Sequence, residues 1–237
     1  MASWQKYAAE AYGTFVLVLF GTGAILATGG DLVAIAFAFG LALVAGLYTV
    51  GKVSGGHFNP AVSLAAFLDK RIALNDMFVY WIFQVIGGLL ASLTIAFMTS
   101  KDVVVGTYTS LNPNIEAFQG FVWEAILTAV FVMAILVLSR KGSHTRLLGI
   151  GLTLTAVHFA GIGISGASVN PARSLAPAIV GGEFTDLWVY LAGPAVGAVL
   201  AWVLFKLIVQ GSTDFGGAFA AKKPEKKPTK KAPAKKK

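Results

Sequence analysis

Apolar residues in this chain run in long blocks broken by short polar punctuation, not at amphipathic spacing. A membrane-crossing helix needs about 20 mostly apolar residues, and the blocks at 7–28, 32–50, 77–99, 118–139, 147–164 and 187–209 each supply a run of that order. Six crossings place both termini on one side. Two further blocks, 60–68 and 171–180, are too short to cross. At about 1.5 Å per residue each spans roughly 14–15 Å, about half of a ~30 Å hydrocarbon core. They predict half-length helices entering from opposite sides and meeting near the middle. The opening segment runs into a full-length apolar block with no small-residue cleavage site, so it reads as a first span and not as a removed leader.

Composition agrees with lipid as the solvent: 56% of residues are hydrophobic, 13% are charged and the mean hydropathy is +0.74. Soluble chains run at roughly 45–50% apolar and about a quarter charged. The net charge of +8 belongs to one segment, because residues 222–237 hold nine lysines and one glutamate and the rest balances to zero. The basic balance therefore describes a tail and no nucleic-acid-binding face. With little to bury, the Lys/Pro/Ala-rich segment 211–237 is expected to be disordered, and it could either contact anionic headgroups or stay solvated. Loop charges divide by side. Lys6, Lys52, Lys70, Arg71, Arg140, Lys141, Arg146, Lys206 and the tail fall on one side; Asp31, Asp102, Glu116, Glu183 and Asp186 fall on the other, with Lys101 the exception. The positive-inside rule puts both termini in the cytoplasm. The absence of cysteine excludes disulfides and thiolate metal sites.

Self-similarity is the most informative feature. SGGHFNPAVSLAAFL from Ser54 recurs as SGASVNPARSLAPAI from Ser165, with the asparagines 111 residues apart. Glu10 and Glu124 open the first and fourth spans, 49 and 46 residues before those asparagines. Three spans separate the copies, so the repeats have opposite orientation, an arrangement that builds sites near the midplane from broken helices. The chain thus divides into a domain over 1–210, with one repeat at about 5–100 and the other at about 117–210, followed by the tail.

The repeated residues suit a pore. Asn59-Pro60-Ala61 and Asn170-Pro171-Ala172 read as an N-cap, proline at N1 and the first turn of each half-helix. Two abutting helix N-termini place positive dipole ends at the centre and raise a barrier to cations. The asparagine amides add donors that would turn a passing water's protons outward and interrupt proton relay. The preceding glycine-rich segments are expected to be extended and to expose carbonyl acceptors, which is tolerated at membrane depth only around a water-filled cavity. Arg173 has the neutral Val62 as its counterpart, so the repeat does not demand it. A charge there costs at least about 2.5–3.5 kcal/mol, and a pore-lining donor competes with a snorkelling surface residue. His158 is either a packing residue or a pore residue, and His57 reads as a loop or vestibule residue. Glu10 and Glu124 are either proton-coupling carboxylates or anchors that accept backbone N–H groups from the buried loops; their symmetry favours anchors. No catalytic set, metal cluster or phosphate loop appears, so no enzyme activity and no cofactor are expected.

The two Asn-Pro-Ala boxes and the two glutamates resemble the aquaporin (major intrinsic protein) family over residues 5–210. The resemblance implies an all-α membrane protein of six transmembrane and two half-membrane re-entrant helices in an inverted-repeat hourglass, usually a homotetramer with one pore per subunit. It also implies a second constriction, carried here by Phe39, His158, Ala167 and Arg173. An aromatic, a histidine and an arginine together are similar to the water-selective branch. So is Ser174, where glycerol facilitators usually have aspartate. Ala167 in place of threonine or cysteine, and Leu191 after Tyr190, lean the other way. The expectation is a passive water channel of the cytoplasmic membrane, with water as permeant and lipid as surroundings. A glycerol or small-solute facilitator is the first alternative, followed by an ion-coupled transporter using Glu10 or Glu124 and by a closed-pore junction protein.

Overall fold

The computed structural model describes residues 3–139 and 144–215. Arg140, Lys141 and the lysine-rich segment 222–237 lie outside the described residues. The helices run α1 (Ser3–Ala27), α2 (Leu32–Ser54), α3 (Pro60–Leu68), α4 (Leu74–Met98), α5 (Lys101–Val105), α6 (Ala117–Leu138), α7 (His144–Ser165), α8 (Pro171–Gly181) and α9 (Leu187–Leu204), with a π-helical turn over Phe205–Val209 closing the last span. No strand occurs among the described residues. Six of the helices are long and apolar enough to cross a membrane, and the short α3 and α8 lie at the two expected half-spans.

Element ends follow local chemistry. Asp31 caps α2 by accepting the Ala34 N–H at 2.8 Å, and Gly55 ends it at φ 100°, a left-handed value that costs glycine nothing. The helices overrun the sequence-expected ends by a few residues, as at Ser54. The one element not anticipated is α5. Its run KDVVV is too short for periodicity to register, and it forms under a Ser100 cap on the Val103 N–H.

Packing repeats with the sequence. α1 lies against α2 and α4, α6 lies against α7 and α9, and α2 meets α7 between the halves. At that central crossing Gly40 and Gly151 face each other. A Cβ on either would sit 2.7 Å from the other's carbonyl oxygen, so the close approach needs two hydrogen-only residues. The buried core joins Val16, Phe39 and Leu43 of the first half to Phe131, Leu154 and Val157 of the second. The outer face is apolar instead of polar: Phe97 is 88% exposed, and Phe20, Ile82 and Val130 each exceed half. Such a surface suits lipid tails, while the core is kept for the segments that cannot face lipid.

Candidate functional site

The two half-helices meet at their N-termini. Asn59 (φ −159°, ψ 123°) caps α3 by accepting the Ala61 N–H at 2.8 Å, and Asn170 (φ −151°, ψ 105°) caps α8 by accepting the N–H groups of Ala172 at 3.1 Å and Arg173 at 3.4 Å. Pro60 and Pro171 stand at the first helical position, where a missing N–H strands nothing. Each asparagine also donates across the seam, Asn59 Nδ2 to the Val169 carbonyl at 2.7 Å and Asn170 Nδ2 to the Phe58 carbonyl at 2.9 Å. A side-chain amide carries two donors, so one N–H of each asparagine is left over. Both asparagines border a single narrow cavity, together with Phe39, His158 and Arg173.

The loops leading into these turns are not extended, as their glycines had suggested. They pass through the left-handed region at matching points: Gly55 and Gly166 (φ 100° and 77°), Gly56 and Ala167 (68° and 48°), Phe58 and Val169 (51° and 44°). Three of these six are not glycine, and such a residue costs on the order of 1–3 kcal/mol. The buried glutamates offset that strain. Glu10 accepts the N–H groups of His57 at 3.0 Å and Phe58 at 2.6 Å, and Gln84 Nε2 at 2.8 Å. Glu124 accepts those of Ser168 and Val169, each at 2.8 Å, and the Ser165 hydroxyl at 2.6 Å. Both side chains are fully buried. Each carboxylate thus binds the donors of the loop of its own half.

Farther along the cavity, Phe39 of α2 and His158 of α7 stack with ring centroids 4.5 Å apart at 25°. His158 Nδ1 lies 3.0 Å from the Leu154 carbonyl, so that nitrogen carries the proton, and Nε2 has no partner among the described residues. Gly21 of α1 makes room for Phe39, since a Cβ there would sit 2.1 Å from the ring. The Arg173 guanidinium carbon lies 5.0 Å from the Phe39 centroid, and its Nη1 donates to the Thr109 hydroxyl. Arg173 is 3% exposed, so it does not snorkel to a surface. Two rings and one guanidinium wall this stretch with donors and aromatic edges.

Phe39, His158, Arg173 and both asparagines therefore come together. Ala167 does not join them with its side chain. It is fully buried, and its methyl points toward α7, 2.8 Å from where a Cβ on Gly161 would lie. Leu191 is 36% exposed on the outer face of α9, away from the cavity lining. His57 bonds Ser63 at 3.0 Å and lines both this cavity and a wider neighbouring one that reaches Arg71 and Ser139. The apolar wall (Leu17, Leu43, Phe131 and Leu154) was hidden among identical-looking span residues. The repeat carried a signal for it: Leu17 and Phe131 are spaced as the glutamates are, and Leu43 and Leu154 as the asparagines are. On the α5 side a separate hollow contains Tyr108, Glu183 and Asp186. Burial pushes the Tyr108 phenol up to about 12, which keeps it neutral, while hydrogen bonds from Thr185 hold the Glu183 carboxyl below its usual range and charged.

Six apolar crossings around a buried cavity bordered by two asparagines, a histidine and an arginine mark a multi-pass membrane protein with the architecture of a channel. A family model described as Major intrinsic protein matches residues 1–205, and the chain belongs to that family, whose members are channels and not enzymes. It is 40% identical over 217 residues to "Glycerol uptake facilitator protein-like 6" of Lactiplantibacillus plantarum, covering 89% of this chain and all of that one. It is 33% identical to "Aquaporin-4" of Mus musculus over 87% of this chain and 68% of that one. Among solved structures, the aquaglyceroporin from Plasmodium falciparum superimposes with a TM-score of 0.80 at 26% identity, over 88% of this chain and 97% of that one.

Proposed function

We propose that the chain is a passive, bidirectional water channel driven only by osmotic difference. The observation that carries this reading is the stretch walled by the stacked Phe39 and His158 rings, with the Arg173 guanidinium 5.0 Å from Phe39. Bulky rings at a constriction leave little room for a carbon-bearing solute, while His158 and Arg173 offer polar atoms to a single water. At the centre, the spare N–H of Asn59 and of Asn170 orients each water's oxygen, and two helix dipole ends of about half a charge each oppose hydronium and other cations. Glu10 and Glu124 act as loop anchors, because their carboxylates are occupied by backbone donors of the loops; this counts against proton coupling.

A glycerol or small-neutral-solute facilitator is the second reading, favoured by the likeness to a relative named for glycerol uptake and to an aquaglyceroporin. The channel sits in the cytoplasmic membrane, and the charge of its loops favours both termini in the cytoplasm. Residues 1–210 form the channel domain, assembled as a homotetramer, and the tail contacts anionic headgroups. Stopped-flow light scattering on vesicles containing the full chain tests the reading. Water efflux well above that of empty lipid with slow glycerol re-swelling is expected, and glycerol entry as fast as water would move the chain to the facilitator branch. His158→Gly is expected to admit larger solutes, and an unchanged solute profile would remove His158 from the constriction.

A further inference from the structure

The repeat explains the asparagines and the glutamates, but not what fixes Arg173. Among the described residues the guanidinium has one hydrogen-bond partner, the Thr109 hydroxyl, and its Nε has none. Thr109 lies in the connection between α5 and α6, outside either repeated motif, yet it is 1% exposed. Its hydroxyl is 2.7 Å from that of Ser174, which is 2.6 Å from that of Ser168. Ser168 in turn donates to the Asn170 carbonyl at 3.1 Å.

One direction gives every hydroxyl proton of this chain a partner, because a hydroxyl has one proton. Ser168 commits its proton to the Asn170 carbonyl, so it accepts from Ser174. Ser174 has then used its own proton and must accept from Thr109. Thr109 donates there and turns lone pairs toward a guanidinium that can only donate. Four buried groups thus have one consistent polarity, running from the arginine to the Asn-Pro-Ala turn. The equivalent serine of the first half is used differently: Ser63 bonds His57 Nδ1 at 3.0 Å and Gln84 Nε2 at 2.9 Å, beside a neutral Val62. The hydroxyl relay is therefore particular to the half that carries the charge.

We propose that Thr109 and Ser174 are positioning residues that fix Arg173 across the passage and so set the size of the solute admitted. The proposal rests on the channel reading above. Without the Thr109 acceptor, the guanidinium is free to leave the wall and the constriction widens. The full chain in vesicles is assayed for water efflux and for entry of glycerol, erythritol and ribitol. Thr109→Val keeps the side chain's shape, and losing one hydrogen bond to a charged group is expected to raise the polyol-to-water ratio about tenfold. Thr109→Ser restores the wild-type ratio, and Ser174→Ala raises it less, because it leaves the acceptor in place and only frees its orientation. A Thr109→Val ratio equal to wild type, or a Thr109→Ser shift as large, overturns the relay. If Thr109→Val does not reconstitute, Thr109→Ala and Ser174→Ala decide by the same criterion. Wild-type vesicles no faster than empty lipid would instead overturn the channel reading itself, and the selectivity claim with it.

Discussion

The two halves of the molecule are built to one plan and differ at Arg173, the position we propose chooses the permeant. Each has a glutamate on two loop N–H groups, an asparagine capping a half-helix and donating to the other loop, and the same three left-handed positions. Against that background Val62 faces no counterpart charge, whereas Arg173 stands over Phe39 and is held by Thr109. In our account the symmetric parts form the passage and the unmatched side chains set its cut-off.

The largest effect tests the shared plan. Glu10→Ala and Glu124→Ala each strand two buried loop donors, worth roughly 2–6 kcal/mol at about 1–3 kcal/mol per group. Both variants should lose thermal stability by comparable amounts in detergent, measured by fluorescence-detected size exclusion. A tolerated change in one half only would break the equivalence.

Reading the sequence goes far for whatever the repeat encodes. Half-helix starts at Pro60 and Pro171, the inverted halves and the candidate anchors follow from spacing and from the chemistry of Asn-Pro. Loop conformation does not: glycine-rich stretches suggested extended backbone, while Phe58, Ala167 and Val169 take positive φ. Nothing local encodes that, because Glu10 and Glu124 impose it from distant helices. Thr109 was illegible for a similar reason, since its contact with Arg173 spans 64 residues and lies outside the duplicated frame. Ala167, placed in the constriction by resemblance, turns its methyl toward Gly161 of α7, and Leu191, read as leaning toward the glycerol type, lies on the outer face of α9.

The smallest effect concerns strain in one copy. Ala167 occupies the place of Gly56 at φ 48°, so Ala167→Gly relieves a left-handed alanine and is expected to raise stability by up to about 1 kcal/mol. A small upward shift in melting temperature with an unchanged solute cut-off is the expected result. A widened cut-off would show that the methyl shapes the passage after all.

The most direct test makes the two halves alike at the position where they differ most. Water efflux and polyol entry are measured side by side on vesicles holding wild type or Arg173→Val, which gives the second half the valine of the first. Our account predicts water efflux within about threefold of wild type, since no shared element is touched, and a polyol cut-off moved to larger solutes as a charge-assisted contact is lost. Water flux abolished, or a cut-off that does not move, would contradict it.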